Sequence, residues 1–210
     1  MMFVEMVHKS TGALVRTATA GAIRARMYEQ PSGVRIEYGI DYEKAEIPAR
    51  SYFADYCDVV RGRTDLTFVF GRLVPGTQQL RNQIEISFSE EMFLNQLWKS
   101  SRDFEATVRE LVSVGRLSPV KDILPSDKAQ TFRASSVFMA ASQEAVMDFY
   151  YISPGDLHFF ANGKRGEIPL EPVIRVALSN ALMLEFLEKC ERFAEAQTLK
   201  EGNVDSEGDR

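Results

Sequence analysis

The chain has 210 residues, 45% of them hydrophobic, with 30 acidic against 25 basic side chains and a net charge of −5. That length and apolar fraction suit one large domain or two small intertwined ones with a real core. The acidic balance, spread along the chain, lacks the basic footprint of a general nucleic-acid binder. Cys57 and Cys190 lie far apart in apolar runs without CxxC spacing, so they read as reduced, buried thiols. The first fifteen residues have neither a basic start before a long apolar core nor a small-residue cleavage site. No run approaches the roughly 20 apolar residues of a membrane helix, so the expectation is a cytoplasmic protein without a membrane segment.

Residues 1–48 read as an N-terminal segment with one strand. Val34, Ile36, Tyr38, Ile40 and Tyr42 alternate with polar residues and glycine after the turn at Pro31-Ser32-Gly33, which is the period of a half-buried strand. Before that turn, residues 1–8 fit a strand, and residues 13–30 fit either a strand or a helix.

A first unit, 49–118, opens with two β-prone runs, Tyr56–Val60 and Leu66–Phe70, joined by a polar turn. A third strand, Gln83–Phe88, follows the Pro75-Gly76 break. Ser89 is placed as an N-cap, with Glu90 and Glu91 complementing the positive end of a helix that Gly115 and Pro119 terminate. A second unit, 126–197, repeats the pattern. Ile84, Ile86, Phe88 and Ser89 correspond to Ile174, Val176, Leu178 and Ser179, and Met92, Phe93, Leu94 and Leu97 to Leu182, Met183, Leu184 and Leu187. The fold expected is therefore α+β: tandem β-β-β-α repeats related by a pseudo-twofold axis, forming antiparallel sheets with their long helices packed on one face. The second unit carries an insertion, 152–173, read as a loop or extra hairpin turning at Asn162-Gly163. The polar residues 198–210 read as a disordered tail.

No motif specifies a catalytic, cofactor or metal site. His8 and His158 stand apart from each other and from the cysteines, without ligand spacing. Two surfaces are candidates for binding. One is the charged first hairpin, Asp55, Asp58, Arg61, Arg63 and Asp65, where the second copy has the uncharged Ser135, Phe138, Ala141, Gln143 and Ala145 in nearly corresponding places. The other is the insertion, with Leu157, His158, Phe159, Phe160, Lys164 and Arg165. Asn162-Gly163-Lys164-Arg165-Gly166 combines glycines with cations but lacks the phosphate-loop register.

Tyr56–Val60, Asp65–Gly71 and the strand, serine and helix of Ile84–Leu97 resemble a family of short bacterial proteins of unknown function. These share an aromatic-plus-valine strand, a strand ending in Phe-Gly, a third strand and a C-terminal helix. The second copy resembles it more weakly, with Tyr150-Tyr151 in place of Phe-Gly. The plan of antiparallel sheet plus helix is also similar to SecB-type export chaperones. The resemblance implies the β-β-β-α fold and supplies no catalytic residues. The reading favoured is a non-enzymatic protein-binding, adaptor or chaperone-like protein, a homodimer through its sheet edges, acting on a protein partner without cofactor, membrane or nucleic acid. The alternatives are a small enzyme gathering Asp156, Glu167 or Glu171 around His158, and a nucleic-acid-associated accessory protein.

Overall fold

The computed structural model describes residues 13–20, 22–31, 33–62, 65–77, 79–89, 93, 98–112, 129–164 and 168–204. In chain order the strands are β1 (Ala13–Ala20), β2 (Ile23–Gln30), β3 (Gly33–Ile40), β4 (Ser51–Phe53), β5 (Tyr56–Arg61), β6 (Asp65–Leu73) and β7 (Leu80–Ser89). Helix α1 (Trp98–Leu111) closes the first repeat. The second runs through β8 (Gln130–Arg133), β9 (Ser136–Ala141), β10 (Ala145–Tyr151), helix α2 (Pro154–Ala161), β11 (Glu171–Leu178) and helix α3 (Asn180–Val204). The class is α+β.

The two repeats exchange their opening strands. Hairpin β5-β6 and strand β7 pair antiparallel in sequence order, and their sheet is completed by β8, from the second repeat, running parallel to β7. The other sheet has the order β4-β11-β10-β9, and here the first repeat's β4 runs parallel to β11. The registers match: Ile86 faces Phe132 as Val176 faces Tyr52, and Ser87 faces Arg133 as Ala177 faces Phe53. The bonds that end the exchanged strands match too, with Ala54 N–H donating to the Ala177 carbonyl (2.9 Å) and Ala134 N–H to that of Ser87 (3.0 Å). The parallel pairs at the sheet margins were not foreseen in the sequence, because a short strand pairing across the repeats leaves no periodicity of its own.

Period-two burial builds a common core. Leu66, Phe68 and Phe70 on β6, Ile84, Ile86 and Phe88 on β7, Ala145, Met147 and Phe149 on β10, and Ile174, Val176 and Leu178 on β11 are all buried. Phe68 stands at the centre, its ring 5.1 Å from Phe88, 6.0 Å from Phe93, 6.4 Å from Phe149 and 5.0 Å from Phe186. Both sheets and α3 thus meet around one aromatic group. Helix α3 begins where the sequence indicates: the Ser179 hydroxyl accepts the Leu182 N–H (3.2 Å). Its buried stripe is Leu182, Met183, Phe186, Leu187, Cys190 and Ala194. The helix continues to Val204, into the residues the sequence reading assigned to a disordered tail. Of the helix start expected after Ser89, only Phe93 lies among the described residues before Trp98.

Two expectations change. The N-terminal segment holds a three-stranded antiparallel meander, β1-β2-β3, rather than one strand, and β3 caps neither repeat sheet. The insertion is a helix rather than a hairpin. Ser153 caps it by accepting the Gly155 N–H, Pro154 occupies the first turn, and Asn162-Gly163 ends it, with Gly163 at φ 72°. Asn162-Gly163, expected to turn a hairpin, instead closes a helix C-terminus, where the same tolerance of positive φ is needed. The two surprises explain each other: Ile23, Ala25 and Met27 of the meander and Ile152, Phe160 and Ile168 of the insertion form a second core, with Ile40, Leu157, Ala161 and Leu170 packed on it. Tyr42, just past β3, stacks on Phe138 (4.9 Å) and Tyr150 (5.8 Å), and its hydroxyl donates to the Val137 carbonyl (3.1 Å).

Truncating Phe160, which has no exposed surface, is expected to cost about 3–5 kcal/mol. The loss should be local. Hydrogen exchange in Phe160→Ala is expected to accelerate at the β1–β3 amides and far less at β6 and β7.

Candidate functional site: sheet edges and the charged hairpin

The hairpin charges, grouped by the sequence as one surface, are divided by the structure among separate tasks. Asp55 lies at the crossing from β4 to β5, and its carboxylate accepts the Leu73 N–H (2.6 Å) beside the irregularity in the β6-β7 ladder. In the second copy the Ser135 hydroxyl accepts the Ile152 N–H (2.9 Å), and each acceptor thus bonds the residue two past the end of its hairpin's paired run, at Gly71 and Tyr150. Asp55 and Ser135 are therefore the same device in two chemistries.

Asp58 and Arg61 hold α3. Lys189 on that helix donates to the Cys57 carbonyl (2.6 Å) and lies 3.4 Å from Asp58 Oδ1 and 3.0 Å from Glu185 Oε1. Burial works against the Lys189 ammonium, yet its surroundings of Cys57, Glu185 and Asp58 hold its pKa above the ordinary lysine value. The Tyr56 hydroxyl donates to Asp58 Oδ2 (3.3 Å), and burial, then the Asp58 charge, push the phenol pKa up. The Arg61 guanidinium lies 5.8 Å from the Phe193 ring centroid. Asp65 is exposed at the turn, where its carbonyl accepts the Gly62 N–H (2.8 Å). Its counterpart by register is Glu144, since the Ser142 N–H bonds the Glu144 carbonyl in the same way, so the second copy keeps a carboxylate there. Arg63 lies outside the described residues.

The insertion divides likewise. Phe160 and Leu157 belong to the second core, while His158, Phe159 and Lys164 are exposed. The His158 ring meets the side-chain amide of Asn162, one turn along, at 3.0 Å. Of the carboxylates expected around it, Glu167 lies outside the described residues, as does Arg165. Among the described residues no group of three or more His, Cys, Asp or Glu could hold a metal ion. No helix among them is long and apolar enough to cross a membrane.

Two features escaped the sequence reading. Asp148, 2% exposed, is clasped by Arg175 on the neighbouring strand through two 2.6 Å bonds, Nε to Oδ1 and Nη2 to Oδ2. The signal was a lone charge inside each of two adjacent apolar strands, Met147-Asp148-Phe149 and Ile174-Arg175-Val176. The second is the margin where β4 crosses the end of β6 and β7. There the Tyr52 hydroxyl donates to the Asn82 carbonyl (2.7 Å), and Asn82 adopts φ 52° in the ladder irregularity. Burial, then the Asp55 charge, raises the Tyr52 phenol pKa to about 12, with Arg72 opposing. Phe53 on β4 is 45% exposed beneath the Arg72 guanidinium, 5.7 Å away. Val60, on the terminal strand β5, is also exposed. No protein-family model, no curated protein and no solved structure matches the chain.

Asp55→Ala is expected to lower stability by about 1 kcal/mol, and Asp55→Ser by a fraction of that, because Ser135 already does this work. Urea denaturation at pH 7 measures both. Burial lifts the Cys57 thiol to about 12 and holds that of Cys190 well above its ordinary value. These folded values exceed the unfolded ones, so the thiols' contribution is complete below pH 9 and is lost as pH rises toward 12. The urea midpoint is expected to fall across that window, and to fall less steeply in Cys57→Ala.

Proposed function

We propose that the chain is a non-enzymatic protein-binding module, adaptor or chaperone-like in character, that takes an extended segment of a partner at a sheet edge. The observation that carries this reading is Phe53: a large aromatic, 45% exposed, on β4, the terminal strand of its sheet. A terminal strand offers main-chain donors and acceptors to a second extended chain, and a neighbouring exposed ring supplies the apolar contact that such pairing needs. Ile47, in the segment leading into β4, adds a second exposed apolar side chain on the approach to the strand. The hairpin charges recede from this role because Asp55, Asp58 and Arg61 are occupied within the fold.

A panel of fluorescent extended peptides, titrated against the full chain and followed by anisotropy, tests the reading. Phe53→Asp is expected to weaken binding at least about tenfold, the equivalent of 1.4 kcal/mol, with circular dichroism unchanged. Equal binding by the folded variant would remove β4 as the site.

A further inference from the structure

Arg72 on β6 and Arg81 on β7 are direct cross-strand partners. Like charges at such positions repel and destabilise the pair, so a sheet rarely gains from placing them there. Both side chains are exposed, and neither makes an ion pair with a described residue. The second repeat shows what the scaffold itself requires at this place. Its register puts Tyr151 opposite Glu171, an aromatic and a carboxylate, with no cation. The first repeat instead concentrates positive charge there within a chain whose net charge is −5. Asp55, the nearby carboxylate that acts on the same Tyr52 phenol as Arg72, is engaged by the Leu73 N–H. Arg50, also exposed, immediately precedes β4.

We propose that Arg72 and Arg81 seat the carboxylates of an acidic, extended segment of a partner protein whose backbone lies along β4 and whose apolar side chains rest on Phe53. The inference rests on the sheet-edge reading above and names the chemistry of the partner. Guanidiniums on two cross-strand partners can donate to one carboxylate between them or to one each, with bidentate geometry, and either arrangement turns their mutual repulsion into attraction. Arg72 is held for this by the Phe53 ring at 5.7 Å. A contact on that ring and a charge on Arg72 therefore act at a single place. The bend that brings Arg81 opposite Arg72 depends on the left-handed residue Asn82, anchored by the Tyr52 hydroxyl on β4 itself. Edge strand, aromatic and paired cations are thus mutually positioned.

The test uses the full chain with two labelled peptides of identical apolar pattern, one with Glu and one with Gln at alternate positions. The Glu peptide is expected to bind about tenfold more tightly at low salt, with the difference shrinking as ionic strength rises. In Arg72→Gln/Arg81→Gln the two affinities should converge on that of the Gln peptide, while Arg192→Gln, which removes an exposed cation on α3, should keep the preference. If the wild type binds both peptides equally, the acidic-partner inference is overturned and the sheet-edge function stands. If it binds neither peptide, nor any other extended sequence, the function falls and this inference with it. Equal loss of preference in Arg192→Gln would assign the effect to overall charge and also overturn it.

Discussion

The exchange of β4 and β8 between the repeats is the constraint on which the rest depends. Each sheet has three strands of one repeat and one of the other, held by main-chain hydrogen bonds in equivalent registers. A single β-β-β-α unit would bury its sheet poorly. The exchange lets both inner faces share one core, in which Phe68, Phe70 and Phe88 of the first repeat meet Phe149 and Phe186 of the second. The α1 to α3 contact reinforces the joint through Arg109, which lies 2.6 Å from Glu105 and 3.3 Å from Glu188. As an exposed pair it adds little stability beside the aromatic packing.

With the scaffold symmetric, the departures from symmetry stand out. The second repeat adds α2, and the meander β1-β2-β3 packs with it in a core of its own. Over the second sheet, Tyr42 spans Phe138 and Tyr150, and the buried Asp148 is neutralised by Arg175. Burial, first, and the Asp148 charge lift the Tyr150 phenol to about 12. In the first repeat the corresponding strand positions hold Val69 and Glu85, which also face one another across the ladder. The pair Asp148–Arg175 thus belongs to the covered sheet alone, where two charges would be costly unless matched.

The fold was legible in the sequence where one pattern carried it: the alternating strands, the Ser179 cap and the repetition of Ile84-Glu85-Ile86 as Ile174-Arg175-Val176 follow from local rules. What local rules cannot express is pairing between distant segments, so the exchanged strands and the docking of the meander onto α2 were missed. The same limit governed the candidate surfaces. Asp58 and Arg61 look like a solvent-facing cluster along the chain, and only the arrival of Lys189 and Phe193 from α3 shows them to be internal fasteners. Arg72 and Arg81 are nine positions apart, and their opposition exists only through the β6-β7 register.

Strand exchange also orders events during synthesis. Ser51 precedes its partner Arg175 by 124 residues, so β4 leaves the ribosome long before β11 is made. The nascent first repeat must therefore wait with Tyr52 and Phe53 unpaired and its own β7 lacking β8, and only translation of the second repeat ends that interval. A chain built this way couples its folding to completion of its own C-terminal half, and the long-range closure makes that step slow relative to local hairpin formation.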